Sequence, residues 1–98
     1  MLCVMATRVD PESFDKPTDL EDLEKRAMDA IRRHCPDVTW KMSFAVLGPY
    51  DYIDVFEAPD IATAQHVSAL IRCHGRAHSE IWPATTWKDF EQLIAGQS

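Results

Sequence analysis

Glycine is scarce in this sequence, with three residues in 98, at positions 48, 75 and 96. A phosphate-binding loop or a dinucleotide fingerprint needs several glycines close together, so that backbone N–H groups can approach the phosphates. Neither is present, and no G-x-S-x-G elbow marks a nucleophilic serine. Cysteine is sparse too, at Cys3, Cys35 and Cys73. An odd number at wide spacing is not a disulfide framework, and free thiols fit a reducing compartment. Positive charge is short: 10 Lys and Arg face 16 Asp and Glu, a net charge of −6. Nucleic acids and anionic membranes are recognised through a basic footprint, so neither is expected as a partner. No apolar run reaches a membrane-spanning length. The start, "MLCVMATRVD", lacks the basic and apolar regions of a signal peptide. Together these absences predict a cytoplasmic chain.

Metal-binding patterns are missing as well. There is no H-E-x-x-H and no paired C-x-x-C. His66 and His74 fall eight residues apart on a predicted helix, about 12 Å along its axis and too far for one ion. Cys73, His74 and His78 converge only if the chain folds back after Gly75. No metal and no cofactor is expected. His34 and His66 read as surface residues, and the cysteines as small buried hydrophobes.

What is present is an ordinary globular composition, 46% hydrophobic and 27% charged, and a length that fits one domain over residues 1–98. "MLCVMATRV" reads as a first strand and "DPESFDKP" as a loop broken by two prolines. Residues 18–35 read as a helix opened by a Thr18–Glu21 capping box and stopped at Cys35-Pro36. Its apolar face holds Leu20, Leu23, Ala27, Ala30, Ile31 and His34. Residues 38–48 form a second strand, with Trp40, Met42, Phe44 and Val46 alternating against Thr39, Lys41, Ser43 and Ala45. The turn "GPYD" leads into a third strand that ends near Ala58, and Asp51 is placed to accept backbone N–H groups there. Asp60 caps a second helix over 61–74, with Ile61, Ala64, Val67, Leu70 and Ile71 as its stripe and Gly75 after it. Residues 76–84 form a fourth strand. A short terminal helix over 85–94 packs Trp87, Phe90 and Leu93.

The order β-α-β-β-α-β with a short C-terminal helix predicts an α+β, ferredoxin-like sandwich. Right-handed crossovers put both helices on one face of a four-stranded antiparallel sheet and leave the other face bare. In the third strand Ile53 and Val55 alternate with Tyr52, Asp54 and Phe56. Assigning the aliphatic pair to the helix side sends Tyr52, Asp54 and Phe56 to the bare face. The same logic in the fourth strand turns Ile81 to the helices and His78, Glu80 and Trp82 to the bare face. Such an aromatic patch does not stay in water. A second copy, packed sheet to sheet as a homodimer or higher homo-oligomer, would cover it. It would also enclose a small-molecule pocket.

The candidates for chemistry in that pocket are Asp54 and His78. Arg8, Tyr52, Phe56, Glu80 and Trp82 are the candidates for ligand contact. A carboxylate there is expected to have a raised pKa through desolvation.

The signature Gly48-x-Tyr50-Asp51, then a strand, then "EAPD" at 57–60 leading into the second helix, resembles the GYD-domain family. "MATRVDPES" and "GRAHSEIWPA" fit as well, and the resemblance covers nearly the whole chain. It implies the dimeric α/β-barrel superfamily, which is ferredoxin-like and pairs sheet to sheet. That superfamily includes cofactor-independent monooxygenases, isomerases and haem-dependent enzymes, and no active-site set carries over from them residue by residue. No histidine here is placed as a proximal haem ligand. Two functions stand: a homo-oligomeric domain with a pocket between the sheets of two subunits, or a cofactor-independent enzyme using Asp54 and His78 on a small hydrophobic substrate.

Overall fold

The computed structural model describes residues 1–13 and 16–96. Phe14 and Asp15 of the expected loop lie outside the described residues. In chain order the elements are β1 (Leu2–Val9), a single 3-10 turn at Pro11–Ser13, α1 (Pro17–His34), β2 (Thr39–Ala45), β3 (Tyr52–Glu57), α2 (Ile61–His74), β4 (Ala77–Ala84) and α3 (Trp87–Ala95). The strands form one antiparallel sheet in the order β2-β3-β1-β4. This is the ferredoxin-like arrangement that the element order predicts. Among the described residues, no helix is long and apolar enough to cross a membrane.

Local chemistry explains most element ends. Asp60 caps α2 by accepting from the Thr63 backbone N–H at 2.8 Å, and Thr86 caps α3 in the same way through the Asp89 N–H. The expected Thr18–Glu21 capping box does not form. Proline suits the first helical turn, so α1 starts at Pro17 with Lys16 in the cap position and no side-chain cap bond. Thr18 is thereby drawn inside the helix.

One layer of core lies between the sheet and the two long helices. Cys3 and Met5 of β1 and Phe56 of β3 meet Ala27, Ala30 and Ile31 of α1 and Ala64, Val67 and Ile71 of α2. The helices present alanine where they cross the strands, so there is depth for a large ring from below. Phe56 fills it and is fully buried, a burial worth about 1.5–3 kcal/mol. Ile61 and His34, expected on the buried stripes, are exposed.

This packing reverses one predicted face. Cys3 pairs with Phe56 and Met5 with Asp54, and directly opposed residues share a face of the sheet. Tyr52, Asp54 and Phe56 therefore point toward the helices, and Ile53 and Val55 point to the bare face. The assignment by aliphatic character fails because β1, not hydropathy, sets which side β3 presents.

β2 differs from strict alternation as well. Trp40 pairs with Phe56 and Met42 with Val55, so Lys41 is an extra residue in a bulge, and a bulge shifts the side-chain phase by one. Trp40 and Ser43 then share the helix side, with Trp40 stacked on Phe56 at 5.2 Å. Met42 and Phe44 turn to the bare face. The outer strands are β2 and β4, and β4 carries Pro83.

α3 does not dock on the core. Trp87, Phe90, Leu93 and Ile94 all remain exposed, Trp87 at 70%, against the expected packing of three of them. The chain accordingly spans 54 × 30 × 17 Å with a radius of gyration of 15.0 Å, above the ~13 Å of a compact chain this long.

Candidate functional site

The sheet divides the candidate residues into two groups. Tyr52 and Asp54 belong to a cavity of about 400 Å³ under α1. Phe56 belongs to the core, where it is fully enclosed and is no ligand contact on the bare face. Arg8, His78, Glu80 and Trp82 stand on the bare face, where Arg8 pairs with His78 and Val4 with Trp82. Asp54 and His78 are thus on opposite sides of one sheet and do not form an acid–base pair.

The cavity is built mainly by α1 and by β1, β2 and β3, with Ile71 of α2 and Ala77 of β4 completing it. α1 supplies Glu24, Ala27 and Met28 from one face, spaced three and four residues apart. The bulged β2 supplies Trp40 and Ser43, and β1 supplies Thr7. Asp54 is half-buried at the polar end of this space. Burial raises its pKa. A hydrogen bond with Ser43 works against that rise, Glu24 adds to it by charge repulsion, and a hydrogen bond with Trp40 opposes it. The Ser43 hydroxyl in turn accepts from the Trp40 indole N–H at 2.7 Å. Tyr52 has its phenol pKa raised by burial, then by the carboxylates of Glu24, Asp51 and Asp54.

Thr7 is the feature that sequence reasoning passes over. It is 4% exposed, it lines the cavity, and its hydroxyl has no hydrogen-bond partner among the described residues. A buried hydroxyl left unsatisfied costs about 1–3 kcal/mol. A threonine at a strand position carries no sequence signal of this. Glu24 could have been found, because its spacing to Ala27 and Met28 puts it beside the buried face of α1.

The bare face carries its own polar cluster. The Tyr50 hydroxyl donates to Glu80 Oε2 at 2.5 Å, His78 Nε2 lies 3.4 Å from the same oxygen, and the Trp82 indole N–H reaches Oε1 at 3.4 Å. Hydrogen bonding from Tyr50 is the largest influence lowering the Glu80 pKa. Tyr50 also meets the Trp82 ring edge-on at 5.9 Å.

Asp51, one residue on, accepts from the Val9 backbone N–H at 2.8 Å through Oδ2, while its own N–H donates to the Thr7 carbonyl at 2.8 Å. The expected structural task of Asp51 is therefore observed. The turn between β2 and β3 is tied to β1 by Asp51 and to β4 by Tyr50. These are the two side chains of the Gly48-x-Tyr50-Asp51 signature, and the family model of the GYD domain matches residues 3–94. The chain belongs to the GYD domain family. The GYD signature thus fastens the β2–β3 turn to the other two strands, while Gly48 has open space around it.

No curated protein matches the chain. Among solved structures it is similar to the Mycobacterium tuberculosis leucine response regulatory protein, LrpA, with a TM-score of 0.59 and 16% identity over 88% of this chain and 51% of that one. A point mutant of Rv3291c gives a TM-score of 0.57 at 16% identity, covering 88% and 52%. Another point-mutant structure gives 0.55 at 18%, with the same coverage. The chain spans about half the length of each, and at these identities the likeness concerns the fold alone.

Among the described residues, no three His, Cys, Asp or Glu side chains gather as a metal site requires.

Proposed function

We propose that this GYD-domain protein is a small-molecule-binding domain that self-associates through the bare face of its sheet, with the ligand held inside each subunit and not between the two sheets. The observation that carries this reading is the cavity under α1, with Asp54 at one end and Thr7 in its wall. Its volume of about 400 Å³ is in the range of pockets that take small ligands.

Self-association is supported by the register. Met42, Val55, Val4 and Trp82 stand side by side and form one apolar row across all four strands. Met42 is 53% exposed and Trp82 42%. An uncovered band of this kind marks an interaction surface, and a face-to-face pair of sheets would bury it. An enzymatic reading would rest on Asp54 as the base with Tyr52 as its titratable neighbour, since His78 is across the sheet.

A fragment screen followed on the backbone amides of Thr7, Ser43 and Tyr52 tests the binding reading. Saturable shifts centred on these residues are expected, and they should vanish in Ala45→Trp, which fills the cavity from β2. Hits that move only other residues, or no hits at all, would overturn it.

A further inference from the structure

We infer that the ligand of the cavity under α1 is a small organic cation, a primary ammonium on an apolar body, with Asp54 as counter-ion; this rests on the cavity being a ligand site.

The charges around the space favour that sign. Two carboxylates line it, Asp54 and Glu24, against one cation, Arg32. Arg32 is already engaged, with Nη1 3.1 Å from Asp29 Oδ1 on the exposed side of α1. The same carboxylates, with Asp51, act on the Tyr52 phenol in one direction after burial, the largest cause of its raised pKa. An anion would enter against this field. A neutral ligand would leave the two carboxylates repelling each other, whereas a cation relieves the repulsion and forms charge-assisted hydrogen bonds.

The hydrogen-bonding inventory points to a donor-rich head. An ammonium has three donors and no acceptor, and an ionised carboxylate offers about four lone-pair sites. Ser43 and Trp40 lower the Asp54 pKa without using up the roughly four sites of the carboxylate, which leaves capacity for a ligand donor. Thr7 stands opposite Tyr52, and Asp54 stands opposite Met5. Thr7 and Asp54 are therefore diagonal neighbours on one face, about 7–8 Å apart at the backbone. Beyond the polar end the walls are Ala27, Met28, Trp40 and Ile71, which suit an aliphatic or aromatic body.

Three probes of matched shape separate the possibilities: phenethylamine, 2-phenylethanol and 3-phenylpropanoate. Each is titrated into the full chain while the amides of Thr7, Ser43 and Tyr52 are followed by NMR. The amine is expected to bind more tightly than the alcohol by at least about tenfold, the worth of one charge-assisted hydrogen bond, and the carboxylate is expected not to bind. Asp54→Asn should abolish the preference for the amine. If the alcohol or the carboxylate binds as well as the amine, the cation inference falls and the pocket stands. If none of the three moves these amides, the pocket reading falls with it. The wild-type comparison decides the matter even if Asp54→Asn fails to fold.

Discussion

The Trp40 indole N–H donates to the Ser43 hydroxyl at 2.7 Å, and both residues act to lower the Asp54 pKa. The pair exists because the bulge at Lys41 brings residues three apart onto one face of β2. Together they counter the effect of burial on the Asp54 carboxylate. Ser43→Ala removes a group that lowers the Asp54 pKa. A further rise in the Asp54 pKa is expected, read from a carbon-detected NMR titration of its carboxyl. An unchanged or lower value would contradict the arrangement.

Asp54 also sets a pH dependence of stability. The groups sharing its surroundings are Glu24 and Arg32 from α1, Ser43 and Trp40 from β2, and Tyr52 from β3. Its folded pKa lies above the ordinary aspartate value, so the folded state holds this proton more tightly than the unfolded chain does. The group costs nothing at low pH. Its penalty grows as pH rises from the unfolded pKa through the folded one and is constant above that. Asp54→Asn removes the penalty. Between about pH 3 and about pH 7, the stability difference between variant and wild type should move in favour of the variant. Denaturant titrations at the two pH values measure it, and a shift the other way would be inconsistent with burial as the dominant cause.

Phe56 and Phe44 lie on opposite sides of the sheet and should respond very differently. Phe56→Ala empties a fully enclosed position and should cost about 3–5 kcal/mol. Phe44 is 49% exposed, and Phe44→Ala should change the stability of the single subunit by less than about 1 kcal/mol. Chemical denaturation at low protein concentration measures both. Equal losses would mean that the two faces have been exchanged.

The bare face can be tested by one charge. Val55 is central in the row that runs from Met42 to Trp82. Val55→Lys places an ammonium in the middle of it. Size-exclusion chromatography with light scattering should show the wild type as a dimer or larger and the variant as a monomer. A wild-type monomer at micromolar concentration would remove the self-association proposal.

Gly75 closes α2 where there is no room for a side chain. A Cβ there would stand 2.7 Å from the Ile71 carbonyl oxygen, and the following Arg76 takes a positive φ of 49°. Gly75→Ala forces the helix end to move and should cost about 1–3 kcal/mol. A thermal melt that matches the wild type would show that the α2 terminus yields freely.

The parts of this fold that were legible in the sequence are those fixed locally. Asp60 starts α2, Gly75 ends it, and prolines interrupt the chain before α1. These suffice for the element order and hence the topology. The face of β3 was not legible, because Tyr52, Asp54 and Phe56 are sorted by their partners Thr7, Met5 and Cys3 on a strand nearly fifty residues away. Nor was the phase of β2, since a bulge is a property of a pair of strands. The period of α3 shows that it has an apolar side but not what, if anything, covers it. For the site, Asp54 stands out in the sequence as a carboxylate in an apolar strand. The cavity that gives it meaning needed Glu24, Trp40, Ser43 and Thr7, brought together only by folding.

Lys41 and Pro83 give the sheet one more property. They sit on its two borders, and a border with an unbroken ladder of free backbone groups recruits further strands. On β2 the bulge interrupts that ladder beside a lysine. On β4 the proline has no N–H to offer. Sideways growth into a fibre is thereby discouraged at both margins, so the self-association proposed for the broad surface would close as a pair and would not extend into ribbons.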